Sequence, residues 1–142
     1  MATIETTYLG ELRTEATHLQ SGTKIITDAP TDNQGKGEAF SPTDLLAASL
    51  TSCMLTTMAI KAKIANIDID IENTQCSTTK IMAANPRRVA EIVISFKFPK
   101  QYSEKEQQFL ENAALTCPVY YSLHDDLKKT VDFGWEVKVA EV

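Results

Sequence analysis

Cys53, Cys76 and Cys117 are the side chains of this sequence best suited to covalent chemistry. A thiol attacks only as its thiolate, so each must be judged by its surroundings. Cys117 stands before Pro118 at a predicted helix-to-helix junction, which makes it the cap residue of the second helix. Backbone donors at such a position favour an anion. Cys53 falls in mid-helix between Leu50 and Met54. Three turns past the helix start it is beyond the reach of the dipole, so by position it packs as a small apolar side chain. Its activation requires a nearby cation. Cys76, among Gln75, Ser77 and Thr78 on a strand, has no local activator and reads as incidental. Of the two histidines, His124 lies beside Asp125 and Asp126 near a helix end, a structural position for a cation, and His18 is on a strand without an evident partner. Neither CxxC nor HxxxH spacing occurs, so no metal site is expected, and no cofactor.

The elements that must position these groups follow from punctuation and periodicity. Thr3–Leu9 and Leu12–Gln20 read as strands about Gly10, and Thr23–Thr27 as a third after the Ser21-Gly22 turn. Asp28 to Phe40, with Pro30, Asp32, Asn33, Gly35 and Gly37, is a loop. Ser41-Pro42-Thr43-Asp44 opens a helix to about Ala65 that is apolar on nearly every face through Ile60, which predicts burial all round. Ile67, Ile69 and Ile71 alternate with acids as in a half-wet strand, and Ile92, Ile94, Phe96 and Phe98 repeat the period beyond a turn at Asn85-Pro86. Ser103 and Glu106 form a capping box for a helix ending at Cys117, and Pro118 opens a short helix to Leu127. Val131, Phe133, Trp135, Val137 and Val139 make a closing strand. The order βββ-α-ββ-αα-β predicts an α+β fold, with antiparallel sheet wrapped around a long buried central helix.

Composition narrows the functions. The 142 residues are 43% hydrophobic and 23% charged, enough for one domain, 1–142, with its own core. A net charge of −5 without a basic stripe argues against nucleic acid or an anionic membrane as partner. The longest uncharged run, Leu45 to Ile60, is shorter than the ~20 residues a membrane helix needs. Met1 to Leu9 lacks the layout of a signal peptide, and three widely spaced cysteines make no disulfide framework, so the expectation is reduced thiols in a cytoplasm.

Two segments carry a resemblance. Ser41-Pro42-Thr43-Asp44-Leu45-Leu46-Ala47-Ala48-Ser49-Leu50-Thr51-Ser52-Cys53 is similar to the helix of the OsmC/Ohr family, the osmotically inducible and organic hydroperoxide resistance proteins. Ala113-Ala114-Leu115-Thr116-Cys117-Pro118-Val119 resembles that family's second-cysteine motif, and the order of elements is similar over essentially the whole chain. The resemblance implies an intertwined homodimer and a thiol-dependent peroxidase acting on organic hydroperoxides in oxidative-stress defence. In that reading Cys53 is the peroxidatic thiolate, Cys117 resolves its sulfenic acid to a disulfide, and a dithiol reductant reopens it. Leu50, Met54 and Tyr120 would wall an apolar substrate pocket. Arg13, nine residues before the Gly22 turn, matches the family's thiolate-stabilising arginine. One departure stands out. The family's peroxidases carry a glutamate ten residues before the first cysteine, where this chain has Thr43, and Glu38 and Asp44 are the candidate substitutes for orienting the arginine. The departure leaves open an alternative in the divergent OsmC-like branch: a binding protein for a lipophilic small molecule, with little or no peroxidase activity.

Overall fold

Strands β1 (Ile4–Gly10) and β2 (Arg13–His18) are joined by two left-handed residues, Glu11 at φ 52° and Leu12 at φ 65°. This is the mirror-image turn whose twist matches that of antiparallel strands, and Gly10 enters it at φ 88° without steric cost. The computed structural model describes residues 1–135. By internal contacts it divides into two compact units, Met1–Leu46 and the chain from Ala47 onward.

In the first unit β3 (Lys24–Asp28) pairs antiparallel with β2, giving the order β1-β2-β3. The register sets Arg13 directly opposite Asp28. It also sets Ile4 opposite His18, Tyr8 opposite Thr14 and Ala16 opposite Ile25, so that the other face of the sheet is the more apolar one. Among the described residues of this unit no large apolar side chain is buried; Ile4, Tyr8 and Ile25 are 55%, 64% and 46% exposed. The segment after Asp28 is a loop with one 3-10 turn, Thr31–Asn33, strapped to the sheet's own hairpin. The Ala29 N–H donates to the Leu12 carbonyl (3.0 Å), the Asp28 N–H to that of Phe40 (3.1 Å), and Lys36 pairs with Glu11 (2.6 Å). Gly35 is needed there, because a Cβ would fall 1.7 Å from the Ala29 carbonyl oxygen.

The helix α1 (Pro42–Ile64) starts at a capping box. The Asp44 N–H donates to Ser41 Oγ and the Ser41 N–H to Asp44 Oδ2, both at 3.0 Å. It ends in a Schellman motif: Asn66 is left-handed at φ 55°, with Ile67 N–H bonded to the Ala62 carbonyl and Asn66 N–H to that of Lys63. By length and hydropathy α1 would suffice to cross a bilayer. Instead Leu50, Met54 and Met58 enter a core with Ile92, Ile94 and Phe96 and with Leu110, Ala113 and Ala114. The second unit holds β4 (Gln75–Ala83), β5 (Arg88–Lys97), α2 (Glu104–Ala114), α3 (Pro118–Ser122) and β6 (Lys128–Asp132), with the sheet order β4-β5-β6.

Four sequence expectations are corrected. The helix is not buried all round: Ile60 is 50% and Ile64 77% exposed, because one chain covers only one stripe of it. Ile67–Ile71 is not a strand. After the Schellman motif its backbone is spent on local turns (Ile69 N–H to Ile67 O, Thr74 N–H to Ile71 O), and the Tyr102 hydroxyl holds the Asp70 carbonyl. The alternation there reports one-sided burial of Ile69 and Ile71 against the core rather than ladder pairing. Sheet pairing is not wholly antiparallel: β6 runs parallel to β5, with Val131 opposite Ile94, and the connection through two helices is long enough for the crossover this needs. Finally α2 stops at Ala114, α3 at Ser122 and β6 at Asp132. Phe133 and Trp135 follow that strand in an aromatic stack with Phe96 and Phe98, while Val137 and Val139 lie outside the described residues.

Candidate functional site

On α1 the side chains of Cys53, Thr57 and Lys61 recur at intervals of one turn and so share a face. Cys53 is half-buried, and its Sγ lies 3.8 Å from the Thr57 hydroxyl. Across from it is the junction between α2 and α3. Leu115 caps α2, Thr116 turns the chain, and Cys117 adopts an extended conformation (φ −74°, ψ 151°) before Pro118 opens α3. The Cys117 side chain has no accessible surface, and its Sγ accepts the Tyr120 N–H at 3.4 Å. Each thiol bears on the ionisation of the other, and the Val119 backbone bears on that of Cys53.

These contacts divide the two thiols. Burial pushes Cys53 up, but hydrogen bonds from the Val119 N–H, the Thr57 hydroxyl and the Cys117 thiol together outweigh it, so its pKa falls below the ordinary 9.0. Burial raises Cys117, and a proton donated to a Cys53 thiolate raises it further, against the Tyr120 N–H. The more exposed sulfur is thus the better anion, and the enclosed one keeps its proton. Cys76 is pushed up to about 11 by burial alone.

In the first unit Arg13 is held on two sides. Its Nε donates to Asp28 Oδ1 (2.7 Å), and its Nη2 to Asp28 Oδ2 and Glu38 Oε2 (both 2.9 Å). Asp28 is buried and also accepts the Glu38 N–H (3.1 Å), so one carboxylate fixes both the arginine and the loop that brings its second partner. Hydrogen bonding by Arg13 holds Asp28 below the ordinary 3.8 despite burial. A depressed carboxylate pKa stabilises the fold above the unfolded value, and the contribution is lost as pH falls through the folded one. Asp28→Asn is therefore expected to lower the urea midpoint at neutral pH, with the gap from the parent protein closing as pH drops below 3.8. A gap constant down through that window would mean that the carboxylate charge is not what matters.

Of the candidate acids, Glu38 meets Arg13 and Asp44 closes the cap of α1. Leu50 and Met54 have no accessible surface and belong to the core beneath Cys53, so within the chain they are not open to a ligand. Tyr120 is half-buried, with Lys129 5.0 Å from its ring centroid, and serves Cys117 through its backbone. His18 bonds Ser21 and His124 bonds Asp126 N–H, both exposed. Asp28, Thr57 and the Val119 N–H were not singled out from the sequence. Thr57, a hydroxyl one helical turn after a cysteine, had a legible signal. Asp28 had none until the strand register was known.

Known proteins add a frame. The family model described as OsmC-like protein matches residues 35–132. A Psychrobacter arcticus structure, provisionally named an osmotic stress induced and detoxification response protein, is 56% identical, with a TM-score of 0.87 over 93% of this chain and 95% of that one. An OsmC like protein of Mycoplasma pneumoniae is 23% identical (TM-score 0.72, 91% and 92% covered). A Legionella pneumophila organic hydroperoxide resistance protein OsmC is 15% identical (0.70, 93% and 96%). The last two likenesses show the fold alone. No curated protein sequence matches the chain.

Proposed function

The chain belongs to the OsmC-like family, and from that membership we propose that it is a thiol peroxidase of organic hydroperoxides, with Cys53 as peroxidatic and Cys117 as resolving residue. One feature carries this reading: two thiols that bear on each other's ionisation, the half-buried one favoured as thiolate and the enclosed one as thiol. The Cys53 thiolate attacks the terminal peroxide oxygen. An S–O bond forms, the O–O bond breaks, and the leaving alkoxide takes up a proton to become the alcohol. The Cys117 sulfur then attacks the sulfenic sulfur, its proton and the hydroxyl departing as water, and a disulfide results. A dithiol reductant restores both thiols and is itself oxidised to a disulfide.

A guanidinium held by Asp28 and Glu38 is suited to stabilising an anion such as a thiolate, which supports Arg13 in the role the family resemblance suggests. Glu38 supports a replacement for the glutamate missing at Thr43. Apolar side chains left exposed by one chain, Ile4, Tyr8 and Ile25 on the first sheet and Ile60 and Ile64 on α1, favour a second copy as their cover and so a homodimer.

Titrating reduced protein with cumene hydroperoxide while counting free thiols tests the reading. Two thiols are expected to disappear per peroxide consumed. Saturable, redox-independent uptake of a lipophilic ligand with all thiols retained would overturn it in favour of a binding protein.

A further inference from the structure

The proposed reaction leaves one contact at the site unused. Lys61 lies two turns beyond Cys53 on the same face of α1, and its Nζ donates to the Thr116 hydroxyl, the residue directly before Cys117. That hydroxyl in turn donates to the Asn112 (2.7 Å) and Ala113 (3.2 Å) carbonyls at the end of α2. The contact therefore ties the turn that carries one thiol to the helix that carries the other. We infer that Lys61, through Thr116, is a positioning residue that holds the Cys117 turn against α1 so that the two sulfurs stay within bonding reach. The inference rests on the proposed pairing of Cys53 with Cys117 and adds a residue to it.

The role is mechanical rather than electrostatic. Eight residues of helix separate Lys61 from Cys53 by about 12 Å along the axis. The influences on the Cys53 thiol are burial, Val119, Thr57 and Cys117, and the Lys61 charge is not among them. The hold matters because α2 has ended at Ala114, and beyond Leu115, whose N–H still reaches the Glu111 carbonyl at 3.0 Å, the backbone donors of the turn make only long bonds: Thr116 N–H to Ala113 O at 3.3 Å and Cys117 N–H to Ala114 O at 3.4 Å. Closing a disulfide requires the turn to stay in place while the sulfurs approach, and a cationic donor on a neutral hydroxyl is the strongest bond it makes outside its own helices.

The test is the equilibrium of the reduced protein with oxidised dithiothreitol, which needs no peroxide. The Cys53 thiolate opens the reagent's disulfide to a mixed disulfide. Cys117 then displaces the reagent, so that two electrons and two protons pass from the protein thiols to it. Lys61→Met keeps the aliphatic stem, and Thr116→Val keeps the shape while removing the hydroxyl. Each is expected to lower the equilibrium constant for protein disulfide formation about tenfold, close to 30 mV for a two-electron couple. Lys61→Arg, which retains a cationic donor, is expected to restore it, and the pH profile of Cys53 alkylation is expected to stay where it is in the parent protein.

Each other outcome overturns the proposal. An unchanged constant in both variants removes the positioning role and leaves the peroxidase reading standing. A displaced alkylation profile in Lys61→Met assigns the lysine to charge stabilisation instead. Failure of the parent protein to form the disulfide with cumene hydroperoxide as well as with the reagent removes the resolving role of Cys117 and this inference with it. Should Lys61→Met fold poorly, Thr116→Val and Lys61→Arg still decide the matter.

Discussion

Replacing Cys53 with serine is expected to reduce hydroperoxide consumption by roughly three orders of magnitude or more, to the level of the uncatalysed reaction, because no other group among the described residues supplies a comparable nucleophile. Cys117 is enclosed and raised, and burial puts Cys76 at about 11, so that only about one Cys76 side chain in ten thousand is ionised at neutral pH. Cys76→Ser is accordingly expected to react at the parental rate, which makes it the matched control. The parent protein should also show a pH dependence of defined sign. Its rate rises as the Cys53 thiol ionises and levels off above a pKa lower than the ordinary 9.0, the hydrogen bonds from Val119 and Thr57 being retained throughout. Stopped-flow consumption of cumene hydroperoxide across a pH series measures both. A Cys53→Ser protein that kept a rate near the parental one would remove Cys53 from the chemistry.

The second large effect concerns Cys117→Ser. Disulfide formation is expected to vanish, while the first equivalent of peroxide is still consumed, within a few-fold of the parental rate. The serine hydroxyl can still donate to the Cys53 sulfur in the place of the thiol, so the preference of Cys53 for its anionic form survives. What the variant lacks is a second sulfur to attack the sulfenic acid, which should therefore persist, gain one oxygen in mass and be captured by dimedone. The parent protein, with Cys117 at hand to attack the sulfenic acid, should escape capture. A variant that reacted no faster than Cys53→Ser would reverse the division of labour between the two sulfurs. One that still formed a disulfide would implicate Cys76, whose burial argues otherwise.

Much of the local structure was legible from residue order. The capping boxes at Ser41 and Ser103, the junction at Pro118 and the turn at Asn85-Pro86 all rest on contacts a few residues long, and punctuation of that range is written in the residues themselves. Errors arose where burial and backbone pairing part company. Ile67–Ile71 has the period of a strand because alternate isoleucines meet the core, yet its amides are bonded within local turns. The uniformly apolar α1 predicted a helix covered on every side, whereas one chain covers a single stripe and leaves Ile60 and Ile64 at the surface. The direction of β6 escaped the sequence for a related reason: its alternating pattern describes which face is buried, not which way the neighbouring strand runs.

The candidate site divides along the same line. That Cys53 and Cys117 are the thiols worth attention, one on a long apolar helix and the other before a proline at a cap, follows from residue type and spacing, as does the candidacy of Arg13 and Glu38. Their partners do not. Asp28 faces Arg13 because the register of β2 with β3 puts them opposite each other, and Val119 bears on Cys53 and Lys61 meets Thr116 only because α1 packs beside the turn after α2. Sequence carries local preference, which acts over a turn of helix or a few residues of loop. The balance between an ionised Cys53 and a protonated Cys117 depends on hydrogen bonds between segments some sixty residues apart, and those exist only once the core has brought the segments together.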